Sequence, residues 1–136
     1  MSAIPGLTLG LKGSAELVVA EQHTAPKVGS GRVHVLATPV MINLIEAAAL
    51  AAVEHLLPEG QQSLGTQLNV SHVAATPVGM RVSADAELVE IDGRLLTFRV
   101  SAADEVETIG EGMHQRVVVT LSRFDQRVQK KVAQIG

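Results

Sequence analysis

The chain has 136 residues, 46% of them hydrophobic, which fits one domain with ample apolar side chains for one core. Its formal net charge of -3 argues against a general nucleic-acid binder, because such proteins need a broad basic surface. The absence of cysteine excludes disulfides, thiolate metal sites and cysteine nucleophiles, and it suits a reducing compartment. The N-terminal stretch lacks the features of a secretion signal, so we expect a single cytoplasmic domain over 1–136.

The first predicted elements are a strand, a loop and the start of a helix. A short β-like run over 15–20 is followed by the polar, small-residue stretch EQHTAPKVGSGR, which predicts a mobile lid over 21–37. Thr38-Pro39 then predicts a helix start. The threonine can cap free N–H groups, and proline at the first helical position loses no hydrogen bond.

The helix that starts at Thr38 is the most apolar tract of the chain. Pro58 and Gly60 predict its end near Leu57. A membrane span is disfavoured by the polar residues of this tract, which are Asn43, Glu46, Glu54 and His55. The tract therefore predicts a buried core helix.

After the helix the hydrophobic pattern becomes alternating, which is typical of strands with one buried face. Four strands are predicted, over 64–72, 81–91, 95–102 and about 107–124. Asp92-Gly93 is a strong tight-turn signal that joins the second and third of them as a hairpin. The residues after the last strand, 123–136, are interpreted as a basic tail.

The order of strand, long apolar helix and antiparallel meander predicts an α+β fold in which one curved sheet of about five strands wraps a central helix. This is the hot-dog arrangement. One protomer would leave part of the helix and a sheet edge uncovered. We therefore expect a homodimer that pairs across the sheets.

Glu46 is the most informative candidate for chemistry. Its helical neighbours are apolar apart from Asn43, so its carboxylate should emerge into a largely apolar environment. Burying a charge there is costly, and a carboxylate tolerated in such a place usually has a hydrogen-bonding partner and suits acid–base or nucleophilic work. The alternative is a polar stripe of Asn43, Glu46 and Glu54 along an exposed helix edge or dimer seam.

His72 and Thr38 are the next candidates. His72 ends a predicted strand with the parity of Leu68 and Val70, which predicts an inward side chain, although a lone inward histidine is more often structural. Thr38 is first of all a predicted helix cap, and the free N–H groups beside it can also stabilise an oxyanion. A hydroxyl, a histidine and a carboxylate can form a triad, but the spacing does not establish that these three meet.

Weaker signals come from glycine and from basic residues. Gly65 at a strand start permits close approach of a ligand to the backbone, although a bulge is the commoner explanation. Arg116 is a candidate for contact with phosphate groups. So is the terminal cluster, for which a solvated tail is the alternative: Arg123, Arg127, Lys130 and Lys131. No pair of histidines has a metal-ligand spacing with a carboxylate, so no metal site is expected.

Four segments carry a resemblance to a known family. They are, in order, ATPVMINLIEAAALAAVEHLLPEGQQSLGT, NVSHVAATPVGMRV, GRLLTFRVSAAD and IGEGMHQRVVV. Over about 35–131 the chain resembles the fluoroacetyl-CoA thioesterase and its hot-dog relatives. The resemblance implies an acyl-CoA thioesterase in which Thr38, Glu46 and His72 are catalytic, while Gly65 and Arg116 belong to the acyl and CoA site. No cofactor is implied, since coenzyme A enters with the substrate.

The mechanism implied by this resemblance is attack on the thioester carbonyl by Glu46 or by water that it activates. Thr38 and His72 would orient the attacking group and assist proton transfer, and backbone N–H groups near the helix start or Gly65 would hold the oxyanion. An anhydride through Glu46 and direct hydrolysis both stay open.

The chain departs from the family in its lid. KVGSGRVHVLAT contains no aromatic residue, whereas the fluoroacetyl enzyme has aromatic residues before its threonine, so we expect a different small or medium acyl group. Two other functions are weighed against hydrolysis. One is a hot-dog acyl-CoA hydratase or dehydratase, and the other is a non-catalytic module that binds acyl-CoA or another small ligand. The three polar residues together favour hydrolysis, which fold alone would not.

Overall fold

The computed structural model describes residues 4–135, and one antiparallel sheet curled around one long helix makes up most of it. The five strands lie in the order β1-β3-β4-β5-β2. The strands are β1 (Lys12–Val18), β2 (Gln61–Val70), β3 (Arg81–Asp92), β4 (Leu95–Asp104) and β5 (Thr108–Thr120). The helices are α1 (Ala25–Val28), α2 (Thr38–Val53) and α3 (Leu121–Gln134). The predicted α+β hot-dog fold is confirmed.

Helix α2 starts and ends close to the predicted residues, but Thr38 does not cap it. Ala37 is the N-cap, Thr38 is the first helical residue, and within residues 4–135 no side chain makes a capping hydrogen bond at this end. The threonine hydroxyl is bonded elsewhere, as described below. At the other end the α-helix gives way to a 3-10 turn, Glu54–Leu56, shortly before Pro58.

The buried side of α2 packs on the inner face of the sheet. It contributes Met41, Leu44, Ile45, Ala48, Ala49, Ala52 and Val53. Strand β1 lies so close to this helix that a Cβ atom at Gly13 would overlap the backbone of Ala48 and Ala52. The segment Thr38–Leu56, with 19 residues and a mean hydropathy of 1.4, has the length and composition of a membrane span. Its packing against the sheet is that of the predicted core helix.

The hairpin of β3 and β4 follows the sequence pattern closely. In β3 the alternating residues Val82, Ala84, Ala86 and Leu88 are buried. Gly93 in the connecting turn has φ of 61°, a left-handed conformation that glycine adopts without steric cost. The predicted Asp92-Gly93 turn is confirmed. Strand β1, in contrast, spans Lys12–Val18 rather than the predicted 15–20.

Strand β2 differs from its prediction in register and in extent. A bulge between Gly65 and Gln67 shifts its pairing with β5, and a bulge interrupts the regular alternation of side chains. Leu68 is therefore 38% exposed, where the alternation predicted an inward side chain. The strand ends at Val70, so His72 lies beyond it in a loop.

The C-terminal residues form a helix, so the predicted tail over 123–136 and the predicted strand up to residue 124 are wrong. Strand β5 ends at Thr120 and α3 follows at once. Apolar residues recur every three or four positions along α3, which is the helical period. They are Leu121, Phe124, Val128 and Val132, and all of them are exposed, as are the four basic residues of the cluster.

One side of α2 and one edge of the sheet lie open beside each other. Among the described residues, strand β2 has a partner only on its β5 side. The open side of α2 consists of residues at helical spacing that are exposed or half-buried, among them Pro39, Ile42, Asn43, Glu46 and Leu50. This open side of α2 carries the polar residues on which the candidate site is built.

Candidate functional site

Thr38 and His72 form a hydrogen-bonded pair at the start of α2. The distance between Thr38 Oγ1 and His72 Nδ1 is 2.7 Å. Burial lowers the pKa of His72 below its usual value, so its ring is neutral near pH 7 and carries one N–H. Because a hydroxyl can both donate and accept, the pair can pass a proton in either direction. The other ring nitrogen, Nε2, is buried and has no hydrogen-bond partner among residues 4–135.

The pair lies at a cleft of about 360 Å³ that the predicted lid helps to form. From the lid side the cleft is lined by Ala25, Ser30, Gly31, Arg32, Val33, Val35 and Leu36. A backbone hydrogen bond from the Leu36 N–H to the Thr76 carbonyl ties the end of this segment to the rest of the chain, and one from the Ala37 N–H to the His23 carbonyl joins the two ends of the segment. The segment 21–37 thus has a place over the threonine and histidine, and its role as a lid stays a prediction.

Glu46 lies in a second cluster, with Arg116 and Gly65. Arg116 donates a hydrogen bond from Nη1 to Glu46 Oε2 over 3.2 Å. The arginine side chain is only 6% exposed, whereas that of Glu46 is 34% exposed. One carboxylate oxygen of Glu46 is therefore held by a buried cation, while the side chain as a whole stays accessible. The prediction that this carboxylate has a hydrogen-bonding partner is confirmed.

Gly65 leaves the room that Glu46 occupies. A Cβ atom at this position would lie 2.7 Å from Glu46 Oε2, which is closer than side chains pack. The residue pairs across the strands with Arg116 and lies at the bulge of β2. The bulge explanation of the glycine therefore holds, the group that approaches its backbone is the Glu46 carboxylate, and the approach of a ligand stays a prediction.

The sequence did not single out the other partners of Arg116, which are Ser63 and His114. Arg116 donates from Nε to Ser63 Oγ over 2.8 Å, and its Nη1 is 3.1 Å from His114 Nε2. His114 has no exposed surface, and burial lowers its pKa below the usual value. The one available signal was parity, since His114 and Arg116 are two apart on β5 and so share its inner face.

The two clusters do not touch within one protomer. Thr38 and Glu46 are eight residues apart on α2, which corresponds to about 12 Å along the helix axis. Within the described range 4–135, no hydrogen bond joins Glu46 to Thr38 or to His72. The structure thus brings Thr38 together with His72, and Glu46 together with Gly65 and Arg116.

A larger groove of about 660 Å³ lies on the outer face of the sheet, away from both clusters. Its walls mix charges of both signs, from Lys12, Asp85, Glu87, Arg99 and Glu111. Arg99 lies 3.7 Å from Glu87. Neither cluster contributes a residue to this groove. We therefore place the candidate site at the two clusters despite the size of the outer groove.

Comparison with known proteins identifies the family. The chain matches the model of a family described as FlK, fluoroacetyl-CoA-specific thioesterase, over residues 19–122. It is 45% identical over 97 residues to the fluoroacetyl-CoA thioesterase of Streptantibioticus cattleyicolor, which covers 71% of this chain and 70% of that protein. The chain belongs to the fluoroacetyl-CoA-specific thioesterase family.

Solved structures of the fluoroacetyl-CoA thioesterase FlK have the same fold as this family member. One of them superposes with a TM-score of 0.87 at 37% identity, covering 93% of this chain and 98% of that chain. A point mutant of FlK in complex with fluoroacetate and CoA superposes with a TM-score of 0.82 at 37% identity, covering 87% of this chain and 99% of that chain. The resemblance to this family is confirmed.

This thioesterase-family chain offers no cluster for a metal ion in the part that the structure describes, residues 4–135. No three histidine, aspartate or glutamate side chains there are grouped closely enough to hold one. The chemistry available at the site is that of a carboxylate, an arginine, a hydroxyl and two neutral histidines. The catalytic roles of Thr38, Glu46 and His72 stay predictions.

The buried histidines predict how the stability of the protein depends on pH. The folded state lowers the pKa of His72 and His114, so below about pH 6.5 the unfolded chain binds more protons than the folded one. The free energy of unfolding should therefore fall as the pH drops below about 6.5. Urea unfolding between pH 7.5 and 5.5 measures this fall. It should be smaller in His114→Gln and unchanged in His55→Gln, which alters an exposed histidine. An equal fall in His114→Gln and the wild type would contradict the assignment.

Proposed function

We propose that the protein is a cytoplasmic acyl-CoA thioesterase that hydrolyses a small or medium acyl-CoA to the free acid and coenzyme A. Family membership supports the reaction class. The observation that carries the proposal is the state of Glu46, whose Oε2 is held by Arg116 while the side chain is one-third exposed at 34%. A carboxylate that is held at one oxygen and belongs to a partly exposed side chain suits attack on a carbonyl.

In the proposed reaction, Glu46 attacks the thioester carbonyl carbon or removes a proton from a water that does so. The carbon–sulfur bond breaks and the thiolate of coenzyme A leaves. Attack by the carboxylate gives an anhydride that water then hydrolyses, whereas attack by water gives the free acid directly. Both routes need a partly uncovered carboxylate, and the Glu46 side chain is 34% exposed.

The Thr38–His72 pair serves the same reaction as a proton donor and acceptor beside the leaving group. The exposed threonine hydroxyl faces the cleft, and His72 holds it by the 2.7 Å hydrogen bond. At the start of α2, Ala37 donates to the His23 carbonyl, Val40 donates to the Ala37 carbonyl and Pro39 has no N–H, so among residues 4–135 the Thr38 N–H is the one left without a partner. This N–H and the positive end of the helix dipole stabilise the negative oxygen that develops on the carbonyl.

The active protein is a homodimer, and each site combines residues of two protomers. Two copies of β2 that pair about a twofold axis run antiparallel, so their α2 helices run antiparallel as well. The start of one helix then lies beside the middle of the other. This geometry sets Thr38 and His72 of one protomer opposite Glu46 of the partner subunit. The open edge of β2, the open side of α2 and the separation of about 12 Å along one helix all support it.

The acyl group differs from fluoroacetyl in this proposal. The lid that lines the cleft offers only small, aliphatic and polar side chains between Ala25 and Leu36. An aromatic wall is therefore missing from this side of the cleft. A small or medium acyl chain fits a cleft of about 360 Å³.

The first prediction concerns Glu46. Glu46→Gln should lower turnover by about 10²- to 10⁴-fold, because the amide can neither attack the carbonyl nor accept a proton from water. Release of free thiol from a panel of acyl-CoAs measures turnover. Glu59→Gln, which changes an exposed glutamate in the turn before β2, is the matched control and should keep the wild-type rate. Wild-type turnover by Glu46→Gln would refute the mechanism. Hydration of an enoyl-CoA without thiol release would favour a hydratase.

The second prediction concerns the shared site. Thr38→Ala and Glu46→Gln should each inactivate the homodimer, and Thr38→Ala should keep its helix because the residue is not a cap. In a site shared between protomers, a mixed dimer of the two variants keeps one intact site. An equal mixture after subunit exchange should then recover about a quarter of the wild-type activity. No recovery in a mixture shown to contain mixed dimers would place both groups in one protomer. A protein that sediments only as a monomer at micromolar concentration would exclude the dimer.

A further inference from the structure

A chain of polar contacts leads from Glu46 through the sheet to a second carboxylate, that of Glu54. Arg116 donates from Nε to Ser63 Oγ over 2.8 Å and from Nη2 to the Ser63 carbonyl over 3.1 Å. Ser63 in turn donates its hydroxyl to Glu54 Oε1 over 2.7 Å and its backbone N–H to Glu54 Oε2 over 3.0 Å. The four residues form one continuous network, with Arg116 between the two carboxylates.

The direction of each hydrogen bond in this network is determined by chemistry. Arg116 has only donors, and both carboxyl oxygens of Glu54 accept from Ser63. Ser63 must therefore accept from the arginine and give its single hydroxyl proton to the glutamate. Since Glu54 takes that proton, the lone pairs of Ser63 Oγ stay directed at Arg116 Nε.

The direction of the hydrogen bond between Arg116 and His114 is determined in the same way. Its Nδ1 is 2.8 Å from the carbonyl oxygen of Gln67, which can only accept, so Nδ1 carries the ring proton. The unprotonated Nε2 then accepts from Arg116 Nη1 over 3.1 Å. The guanidinium is thus held at Nε, Nη1 and Nη2 by groups that surround it inside the sheet.

These contacts are important for the geometry because the residues that make them are buried. Ser63 is 4% exposed and Arg116 is 5% exposed, so water cannot replace a contact that is lost. Arg116 meets Glu46 through a single hydrogen bond from Nη1 to Oε2. With one such bond, a small rotation of the guanidinium displaces the carboxylate from its place beside Gly65.

We propose that Ser63 and Glu54 are positioning residues for the thioesterase reaction. Glu54 orients the Ser63 hydroxyl, Ser63 sets the angle of the Arg116 guanidinium, and Arg116 presents Glu46 to the substrate. Neither Ser63 nor Glu54 touches the substrate. The inference rests on the proposed role of Glu46, and its effect on geometry can be measured without any activity.

The test combines a spectroscopic and a kinetic measurement on the full chain. In Ser63→Ala, the Arg116 Nε–H loses its acceptor, so its NMR signal should move and its exchange with water should become faster. Turnover should fall by about 10²-fold with KM unchanged, because a displaced carboxylate affects reaction more than binding. Ser63→Thr keeps the hydroxyl and should restore both readouts. Ser101→Ala is the matched control, because it removes a serine hydroxyl from a different strand, β4. Glu54→Ala should shift the same NMR signal, whereas Glu54→Gln, which keeps an acceptor oxygen, should shift it less.

A double-mutant cycle separates positioning from a general loss of stability. If Ser63 acts through Arg116, adding Ser63→Ala to an Arg116→Gln variant should lower turnover no further. The inference would be overturned if Ser63→Ala lowered turnover equally in the wild type and in Arg116→Gln. It would also be overturned if the Arg116 Nε–H signal of Ser63→Ala were that of the wild type. If the wild type hydrolyses no acyl-CoA, the proposed function fails. The Nε–H signal of Arg116 in Ser63→Ala still decides whether Ser63 holds the arginine.

Discussion

A guanidinium that is removed from water must be surrounded by acceptors, and Arg116 meets this requirement on three sides. It has a carboxylate on α2, a serine on β2 and a histidine on its own strand. The arginine thereby links the open side of the helix to the sheet. The Glu46 carboxylate compensates the charge of this buried cation, and its 34% exposure leaves the same side chain available to a substrate.

The local backbone is shaped around this ion pair. Strand β2 carries a bulge between Gly65 and Gln67, and the glycine leaves space for the Glu46 carboxylate. The carbonyl of Gln67 accepts from the buried His114, which sets the tautomer of its ring. A regular strand with a larger residue at position 65 would push the carboxylate away from the arginine. The glycine is thus a requirement of this ion pair, and the bulge lies beside it.

The sequence predicted the main elements well because their signals are local. The apolar helix after Thr38, its end before Pro58 and the turn at Asp92-Gly93 each depend on residues a few positions apart. The helix α3 was missed because its basic residues suggested a solvated tail, although its apolar residues recur with helical period. The role of Thr38 was also misjudged, since a cap is a local pattern and its bond to His72 joins residues 34 positions apart.

The contacts of the candidate site were harder to predict than the fold, because they join residues that are far apart in the sequence. Glu46 could be selected from its apolar helical setting, but Arg116 is 70 residues away, and the sequence offered it for contact with phosphate groups rather than as the partner of Glu46. The sequence placed Glu54 in a polar stripe on the helix, but its contact with Ser63 left no signal, because that contact depends on how β2 returns along the helix. No periodicity reports such a contact. Family resemblance supplied the names of the residues, and the structure supplied the contacts among them.

A crystal structure with a non-hydrolysable thioether analogue of an acyl-CoA tests the central claim most directly. The account predicts that the atom in place of the thioester carbonyl carbon lies against the free oxygen of Glu46, with Arg116 still bonded to the other oxygen. Thr38 and His72 of the opposite protomer should lie on its far side. An analogue bound in the outer groove of the sheet, or bound at the cleft with Glu46 out of contact, would contradict the account.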